Sequence, residues 1–365
     1  MSNGIESPFK KTWIRLLKNK PAIFSLIVIV FAVILAFIGP SVAPDKTPDA
    51  DDQVLELANA SPGFTVKMLK VKKNREEKDP NIISRILFGK NNSYQMIPIN
   101  SYAFDDSANV VVQAYKGEGR NPEQMIFPVV DVVESLSIIS PKIKINGDKA
   151  VYTTFEEKQK TVSIAALKKD IAENNIITKK YRLGTDNYGR DILSRLLFGV
   201  RVSLSVGLVA VFISLTIGIF MGSVAGFYRG SVDNIIMWFI NVVWSIPTIL
   251  LAMAIRFAIG DKINSFLAIF IAVGLSMWVE VARIVRGQVL SVREMEYVQA
   301  ARSLGYNNAR IIMKHILPNI IGPIMVIAAS DFASAILIEA GLSFVGIGVK
   351  PPTPSWGSML NDHRA

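Results

Sequence analysis

Residues 22–39 read AIFSLIVIVFAVILAFIG, a run of uncharged and mostly apolar residues between Pro21 and Pro40. As an α-helix this run would span about 27 Å at about 1.5 Å per residue, close to the roughly 30 Å hydrocarbon core of a bilayer. It is preceded by Glu6 and by the basic residues Lys10, Lys11, Arg15, Lys18 and Lys20. Because cytoplasmic flanks of membrane helices are rich in Lys and Arg, we expect a cytoplasmic N-terminus and an outward-going first span. A cleaved signal peptide, suggested by the small residues at 41–43, is the second interpretation, since the apolar run exceeds a usual signal-sequence core.

The composition of the whole chain also favours a membrane protein. Of 365 residues, 50% are hydrophobic and 19% are charged, and the mean hydropathy is +0.35. Much of the net charge of +10 flanks apolar runs, so we interpret it as topological and expect no nucleic-acid partner. The chain has no cysteine and two histidines, which excludes cysteine metal sites and histidine clusters, and we expect neither a bound metal nor a cofactor.

Further apolar runs lie at about residues 200–227, 235–259, 264–285 and 316–340. Together with the first run they predict an all-α polytopic membrane protein with five spans. Gly218, Gly222 and Gly226 recur every four residues and predict a face on which another helix packs closely. Pro247 lacks a backbone N–H, so we expect a kink in the third span.

Between residues 1–44, which hold the first span, and a membrane core at 182–365, residues 45–181 form a polar segment. Because it follows an outward-going helix, we expect it to be an extracytoplasmic α+β insert. Its strand-like pieces are residues 109–114, 138–145 and 150–155, and its helix-like piece is residues 163–173. Residues 83–89, ISRILFG, echo residues 193–199, LSRLLFG, and a shared packing role explains so short a match better than a duplication.

Charged residues inside the apolar runs mark candidate functional positions. Asp331 lies deep in the last run and is the better candidate for lining a water-filled path, together with the kink at Pro247. Glu339 is expected to reach the outer interface. Glu280 and Arg283 are three residues apart on one helix and are expected to pair locally.

No catalytic motif is found in the sequence. It contains neither a phosphate-binding G-x-x-x-x-G-K-[ST] loop nor an H-E-x-x-H motif, so we expect no ATP hydrolysis by this chain. Three classes remain open: a channel, an ion-coupled carrier, or the membrane part of a machine whose motor is another chain.

The segment at about 286–318 distinguishes these classes. It reads EYVQAARSLGY at 296–306 and IIMKHILPN at 311–319, which predicts a short helix, a glycine stop at Gly305 and a second helix that runs to Pro318. Small residues such as Ala300 and Ala301 allow another protein to dock closely, and glycine allows a sharp turn.

This segment resembles the EAA loop of ABC importer permeases, with A-A-x-x-x-G and L-P at the family's spacing. Other motifs occur in the same order: LGTD at 183–186, GRDILSR at 189–195, RGQVL at 286–290, EAGLSF at 339–344 and PPTPSWG at 351–357. The chain is therefore similar to the C-type permease subunit of oligopeptide, dipeptide and nickel importers, loosely over residues 8–44 and closely over 182–362.

The resemblance implies an ABC importer type I permease fold in a bacterial cytoplasmic membrane, working by alternating access. It implies a second permease subunit, two ATPase subunits that bind the ATP, and an extracytoplasmic substrate-binding protein. The coupling contacts would come from Glu296, Tyr297, Gln299, Ala300, Ala301, Gly305 and Pro318. Peptide is the cargo that the family favours, and nickel or another small solute is the minority interpretation.

The chain departs from the family pattern in three ways. Gln299 stands where the motif usually has glutamate, and an amide can accept the same hydrogen bond. The insert is far longer than the family's connection, and the family's sixth span is expected after the point where this sequence ends. Two other functions stay open, an ion-coupled carrier that uses Glu280, Asp331 or Glu339, and a membrane protein whose insert senses or scaffolds.

Overall fold

A computed structural model describes residues 16–75, 81–137, 143–260 and 262–362. The chain divides between Phe198 and Gly199 into two compact units. The basic residues expected to set the orientation of the first span lie partly outside the described residues, as do residues 138–142 of one expected strand.

The first unit combines one long apolar helix with a mixed α and β domain. In chain order its described elements are α1 (Lys20–Val42), β1 (Thr65–Lys72), α2 (Ile82–Phe88), β2 (Tyr94–Phe104), β3 (Asn109–Ala114), β4 (Glu123–Pro128), α3 (Val129–Val133), β5 (Lys144–Asn146), β6 (Lys149–Thr153), β7 (Gln159–Ser163), α4 (Ile164–Asp170) and β8 (Ile176–Lys180). The insert therefore contains the predicted mixture of strands and helices.

The described residues of the insert form two antiparallel sheets. One has the strand order β4-β3-β2-β1-β8 and the other β5-β6-β7. In β3, Val110, Val112 and Ala114 are buried and alternate with less buried residues, so one face of the strand points into a core shared with Leu69 and Ile171. The predicted strand at 109–114 and the helix beginning near 163 are present, and the helix continues into a wider turn at Ile171–Asn175.

The second unit is helical in the residues described. Its elements are the greater part of α5 (Ile192–Tyr228), followed by α6 (Gly230–Trp244), α7 (Thr248–Ile259), α8 (Ser265–Val292), α9 (Glu296–Ser303), α10 (Asn308–Ile311), α11 (Leu317–Phe344) and α12 (Trp356–Asp362).

Among the described residues, four helical stretches are long and apolar enough to cross a bilayer: α1, α5, α8 and the continuous stretch at 308–344. The pair α6 and α7 passes the same test together and is bent by 91°, so this part of the chain has five spans if the pair counts as one broken span. The break is at Pro247, where a kink was predicted, because proline cannot donate the hydrogen bond that would continue α6. The Pro247 carbonyl instead accepts the first bond of α7, from the Leu251 N–H at 3.0 Å.

The glycine face of α5 packs on α8. A Cβ atom added at Gly218 would lie 2.5 Å from Cβ of Val281, and one added at Gly222 would lie 2.4 Å from the carbonyl oxygen of Ala282. Both distances are shorter than real Cβ atoms allow, so the two backbones approach closely because these positions lack side chains. The sequence predicted such a face but did not identify α8 as its partner.

Candidate functional site

The helix α9 and the turn after it form the first candidate site, in the segment expected to contact an ATPase. The turn is closed by two hydrogen bonds, from the Gly305 N–H to the Arg302 carbonyl at 3.0 Å and from the Tyr306 N–H to the Ala301 carbonyl at 3.2 Å. This is the Schellman pattern of a helix end. Gly305 has a φ of +76°, a conformation that other residues rarely adopt. The helix therefore ends at the predicted glycine because glycine adopts this backbone conformation without strain.

The two alanines of the motif lie on different sides of α9. Ala301 and Val298 are buried, and they pack in one hydrophobic cluster with Phe227, Ile311 and Ile316. Ala300 is exposed. The short helix thus turns one face to the helical core of its own unit and leaves the other face accessible.

The accessible face of the segment is apolar at its centre. Leu304 is 72% exposed, Met295 48% and Tyr297 43%, and the charged residues Glu296 and Arg302 lie beside them and are also exposed. Large exposed apolar side chains with a polar surround are typical of protein interaction surfaces. We call Met295, Tyr297, Ala300 and Leu304 the outer face of α9.

Gln299 forms a contact that the sequence reasoning did not anticipate. Its Nε2 donates a hydrogen bond to the carbonyl oxygen of Glu294 at 3.1 Å, which holds the side chain against the start of α9. A glutamate at this position has no proton to donate when ionised. The amide therefore acts as a donor within this chain, and its expected role as an acceptor in place of glutamate toward an ATPase stays a prediction.

The prediction that the second helix stops at Pro318 is wrong. The chain is helical from residue 308 through 344, and Pro318 is near the start of α11. The turn before it, Ile312–Ile316, is wider than an α-helical turn, which makes room for the proline ring. The Asn319 side chain donates to the His315 carbonyl at 2.7 Å and so satisfies a backbone acceptor in this turn.

Phe227, at the end of α5, connects that helix to α9. Its ring centroid lies 5.7 Å from the guanidinium carbon of Arg302 and 5.8 Å from that of Arg293, and Arg293 also donates to the Phe227 carbonyl. A cation over an aromatic face is attracted by the ring. Phe227 was not among the predicted site residues, because the sequence alone does not distinguish it from the other apolar residues of its run.

A cavity in the second unit forms the second candidate site. It measures about 170 Å³ and is enclosed by the bend between α6 and α7 together with α8 and α11. The lining residues that carry polar or aromatic groups are Trp244, Thr248, Ser276, Glu280, Asp331 and Ser334. Ile246 and Thr248, the neighbours of Pro247, also line it, so the predicted path residues Asp331 and Pro247 lie at one place.

Asp331 is 3% exposed, and its Oδ2 accepts a hydrogen bond from Ser214 Oγ at 3.4 Å. Glu280 lines the same cavity and is exposed. Arg283, predicted to pair with Glu280, instead places its guanidinium carbon 4.2 Å from the ring centroid of Trp244. The cavity therefore combines two carboxylates with an aromatic wall, a combination suited to a cationic group.

Two family profiles match this chain. The profile described as binding-protein-dependent transport system inner membrane component matches residues 214–364, and the N-terminal TM domain of oligopeptide transport permease C matches residues 7–62. Together they cover more than half of the sequence. The chain belongs to the binding-protein-dependent transport permease family.

Curated relatives of this permease-family chain include two peptide transport proteins. The oligopeptide transport system permease protein OppC of Bacillus subtilis (strain 168) is 38% identical over 185 residues, covering 51% of this chain and 60% of that protein. The dipeptide transport system permease protein DppC of Alkalihalophilus pseudofirmus is 41% identical over 181 residues, covering 50% and 59%. The match thus spans about 60% of the length of these relatives.

Among solved structures, a chain of the MetNI methionine ABC transporter in an inward-facing conformation is similar, with a TM-score of 0.38 and 22% sequence identity. The similarity covers 42% of this chain and 76% of that one.

The second unit also contains a carboxylate, that of Glu339, whose surroundings the sequence did not predict. Glu339 was expected to reach an interface, but its side chain is fully buried. Ser343 Oγ donates to Glu339 Oε1 at 2.6 Å, and Ser355 Oγ lies 3.5 Å from Ser343 Oγ. The proline-rich loop folds back onto α11 here and covers the carboxylate, which the spacing along one helix does not reveal.

The GTD and GRD motifs lie outside both matched profiles and have a structural role in this chain. Asp186 accepts hydrogen bonds from the Arg190 side chain at 2.7 Å and from the N–H groups of Tyr188 and Arg190. Arg190 also reaches Asp51 at 3.3 Å. These buried contacts join the end of the insert to the segment that follows α1.

Proposed function

We propose that this chain is the membrane-spanning permease subunit of an ATP-driven importer of peptides. The observation that carries the proposal is the outer face of α9, an exposed apolar surface on the segment that has the family's coupling-loop spacing. The names of the relatives, which are oligopeptide and dipeptide permease proteins, support peptide as the cargo.

The proposal assigns ATP binding and hydrolysis to two partner ATPase subunits. The outer face of α9 seats in a groove of one ATPase, and a second, similar permease subunit completes the path through the bilayer. An extracytoplasmic binding protein delivers the cargo. In this arrangement the N-terminus and α9 lie on the cytoplasmic side of the inner membrane and the insert on the outer side.

The packing of α9 suggests how motion passes from the ATPase to the path. Val298 and Ala301 belong to a cluster that includes residues of α5, α8 and α11, so a displacement of α9 is transmitted to all three helices. The helical stretch from 308 continues into α11, which carries Asp331 at the cavity. Alternating access then follows when the ATPases close and open.

The test is co-purification from detergent of the full chain with its ATPase subunits. Leu304→Glu places a charge on the outer face of α9 and is expected to abolish ATPase recruitment. Leu55→Glu is the matched control, because Leu55 is 65% exposed on the other unit. Gly305→Arg, which strains the turn, is expected to behave like Leu304→Glu. A wild-type chain that inserts into membranes and recruits no ATPase would overturn the assignment.

The cavity around Asp331 favours a second candidate, an ion-coupled carrier. Two carboxylates in one membrane cavity are also what a proton-linked transporter uses. Uptake into vesicles that contain this chain and no ATPase subunit, driven by a pH gradient, would support this alternative. Uptake that requires ATP and the ATPase subunits supports the importer.

A further inference from the structure

The first unit contains a larger cavity, of about 830 Å³, at the end of α1 from which the insert extends. Pro40, Ser41 and Pro44 form one wall, next to the last turn of α1. The helix α2 forms a second wall through Ile82, Arg85, Ile86 and Gly89, which share one helical face. The ends of β2 and β8 close the cavity on the side of the insert.

The helix α2 is unusually apolar for a helix in a polar domain. Ile82 is 74% exposed, Ile83 66%, Phe88 54% and Ile86 42%, so most of its large side chains are unburied. Its C-terminal end is held against the segment after α1 by a hydrogen bond from the Lys90 N–H to the Lys46 carbonyl, at 2.8 Å. A Cβ at Gly89 would lie 2.4 Å from that same carbonyl, so the close approach depends on glycine.

The helix α2 therefore lies near the last turn of α1, the helix that is expected to span the bilayer. Phe24, Ile27, Phe31 and Phe37 of α1 are each at least 60% exposed, as expected for a helix that faces lipid. The exposed side chains of α2 lie beside the last turn of this lipid-facing surface. An amphipathic helix at such a boundary buries its apolar face about 5–10 Å into the interface.

Among the residues that the structure describes, the lining of the cavity is predominantly basic. Five of these lining side chains are basic, and two, Asp45 and Asp52, are acidic. The Asp45 carboxylate already accepts hydrogen bonds within the chain: its Oδ1 accepts one from the Thr47 N–H at 2.8 Å and one from Thr47 Oγ1 at 2.7 Å. Asp52 lies 3.8 Å from Lys179, while Lys46 and Arg85 are exposed at the rim.

We propose that this cavity binds the headgroup of an anionic phospholipid, whose acyl chains lie against α1 and the exposed isoleucines of α2. The phosphate lies among Lys46, Arg85 and Lys180, and the apolar wall formed by Ile82 and Ile86 continues into the bilayer. A free inorganic anion would use the basic rim and leave this apolar wall in water, so the combination favours an amphiphile. The inference concerns the insert and does not depend on the cargo.

The first test measures the depth of α2 in the bilayer. Because the chain has no cysteine, a single Ile83→Cys can carry an environment-sensitive fluorophore in the full-length protein in vesicles. Its emission is expected to be quenched by lipids brominated on the acyl chain. Ile126→Cys is the control, since Ile126 is 57% exposed on β4, at the opposite edge of the sheet from β8. Equal quenching at the two positions would overturn the proposal.

The second test measures lipid selectivity. The full chain is released from phosphatidylcholine bilayers with and without phosphatidylglycerol, and the retained lipid is counted by native mass spectrometry. Each basic residue near an anionic lipid surface contributes about a fivefold gain in binding, so Lys46→Gln with Arg85→Gln is expected to lose about 20-fold or more. Lys144→Gln with Arg120→Gln removes the same two residue types elsewhere on the insert and is expected to have no effect.

The same protein distinguishes a lipid from a free anion. Inorganic phosphate is titrated calorimetrically into wild type and into the Lys46→Gln, Arg85→Gln variant. Phosphate binding that the variant loses, in a wild type without preference for phosphatidylglycerol, would overturn the lipid assignment. Retained phosphatidylglycerol that phosphate does not displace supports it.

Discussion

Arg286 donates two hydrogen bonds to Asp233, from Nε to Oδ1 at 2.6 Å and from Nη2 to Oδ2 at 2.7 Å. Asp233 is in the first turn of α6, and Arg286 is one turn and a half before the end of α8. The pair therefore fastens the start of the bent α6–α7 segment to the helix that leads into α9.

Arg286→Lys is expected to lower the free energy of unfolding by about 2 kcal/mol, because lysine cannot form the two parallel bonds to one carboxylate. The measurement is thermal unfolding of the chain in detergent. A double-mutant cycle with Asp233→Asn isolates the pair, and additive losses would show that the two side chains do not interact energetically.

Two glycine-to-alanine substitutions, one on the glycine face of α5 and one on α8, are expected to change the free energy of unfolding in opposite directions. Gly222→Ala places a methyl group 2.4 Å from the Ala282 carbonyl and is expected to destabilise the protein by about 1–3 kcal/mol. Gly287→Ala on α8 meets nothing within 4 Å and is expected to stabilise it by about 0.5–1 kcal/mol, since alanine is the better helix former. Denaturant unfolding of both variants measures the difference, and an equal sign for the two would contradict the packing argument.

The membrane core was largely predictable from sequence because its signals are local. A run of apolar residues long enough for a bilayer, a proline such as Pro247 and a glycine such as Gly305 each act on the backbone where they stand. The strands β1 and β2 were missed because β1 reads TVKMLKVK, in which lysines interrupt the apolar residues, and because pairing of β1 with β2 and β8 is non-local.

The sequence predicted individual residues of the candidate sites, but it did not predict which of them lie together in the fold. Asp331 and Pro247 are more than 80 residues apart in the sequence, and the bend of 91° is what brings their surroundings to one cavity. Spacing along a helix also misassigned Glu280, since the contact of Arg283 with Trp244 depends on a second helix. Such contacts require the packing of α6 on α8.

Phe227 is expected to transmit the motion of α9 to α5. Phe227→Leu keeps the apolar volume in the buried cluster and removes the ring on which Arg293 and Arg302 lie. If the proposed importer is assembled, this variant should still recruit the ATPase but lose several-fold in transport per ATP hydrolysed. Transport and hydrolysis are measured together in vesicles, and an unchanged ratio would remove Phe227 from the coupling route.

Asp52, which lines the cavity at the end of α1, is expected to make stability depend on pH. Burial raises the pKa of Asp52, and the charge of Lys179 lowers it less than burial raises it. A raised carboxyl pKa means that the folded state holds the proton more tightly, so the contribution of Asp52 to stability is greatest below the usual aspartate value of 3.8 and falls as the pH rises through the folded pKa. The unfolding temperature of Asp52→Asn, relative to that of wild type, should therefore increase from acidic to neutral pH. Thermal unfolding at a series of pH values measures this difference, and a difference that does not change with pH would contradict the prediction.

The cavity around Asp331 predicts a preference for cargo with a positive charge, and the test rests on the proposed import function. A peptide has an ammonium group at its amino terminus, and a hydrogen bond to a charged group contributes about 1.5–3 kcal/mol, which is roughly a tenfold effect or more. Asp331→Asn is therefore expected to slow ATP-driven uptake of a peptide with a free amino terminus by about tenfold. Uptake of the N-acetylated peptide should change little. The binding protein is the same in all four measurements, so its own preference cancels from the double ratio, and Ser334→Ala controls for a change in the cavity wall. Equal loss for both peptides would indicate that Asp331 carries a coupling ion or a structural role, and ATP-independent uptake in the same vesicles would separate the ion-coupled carrier from the importer.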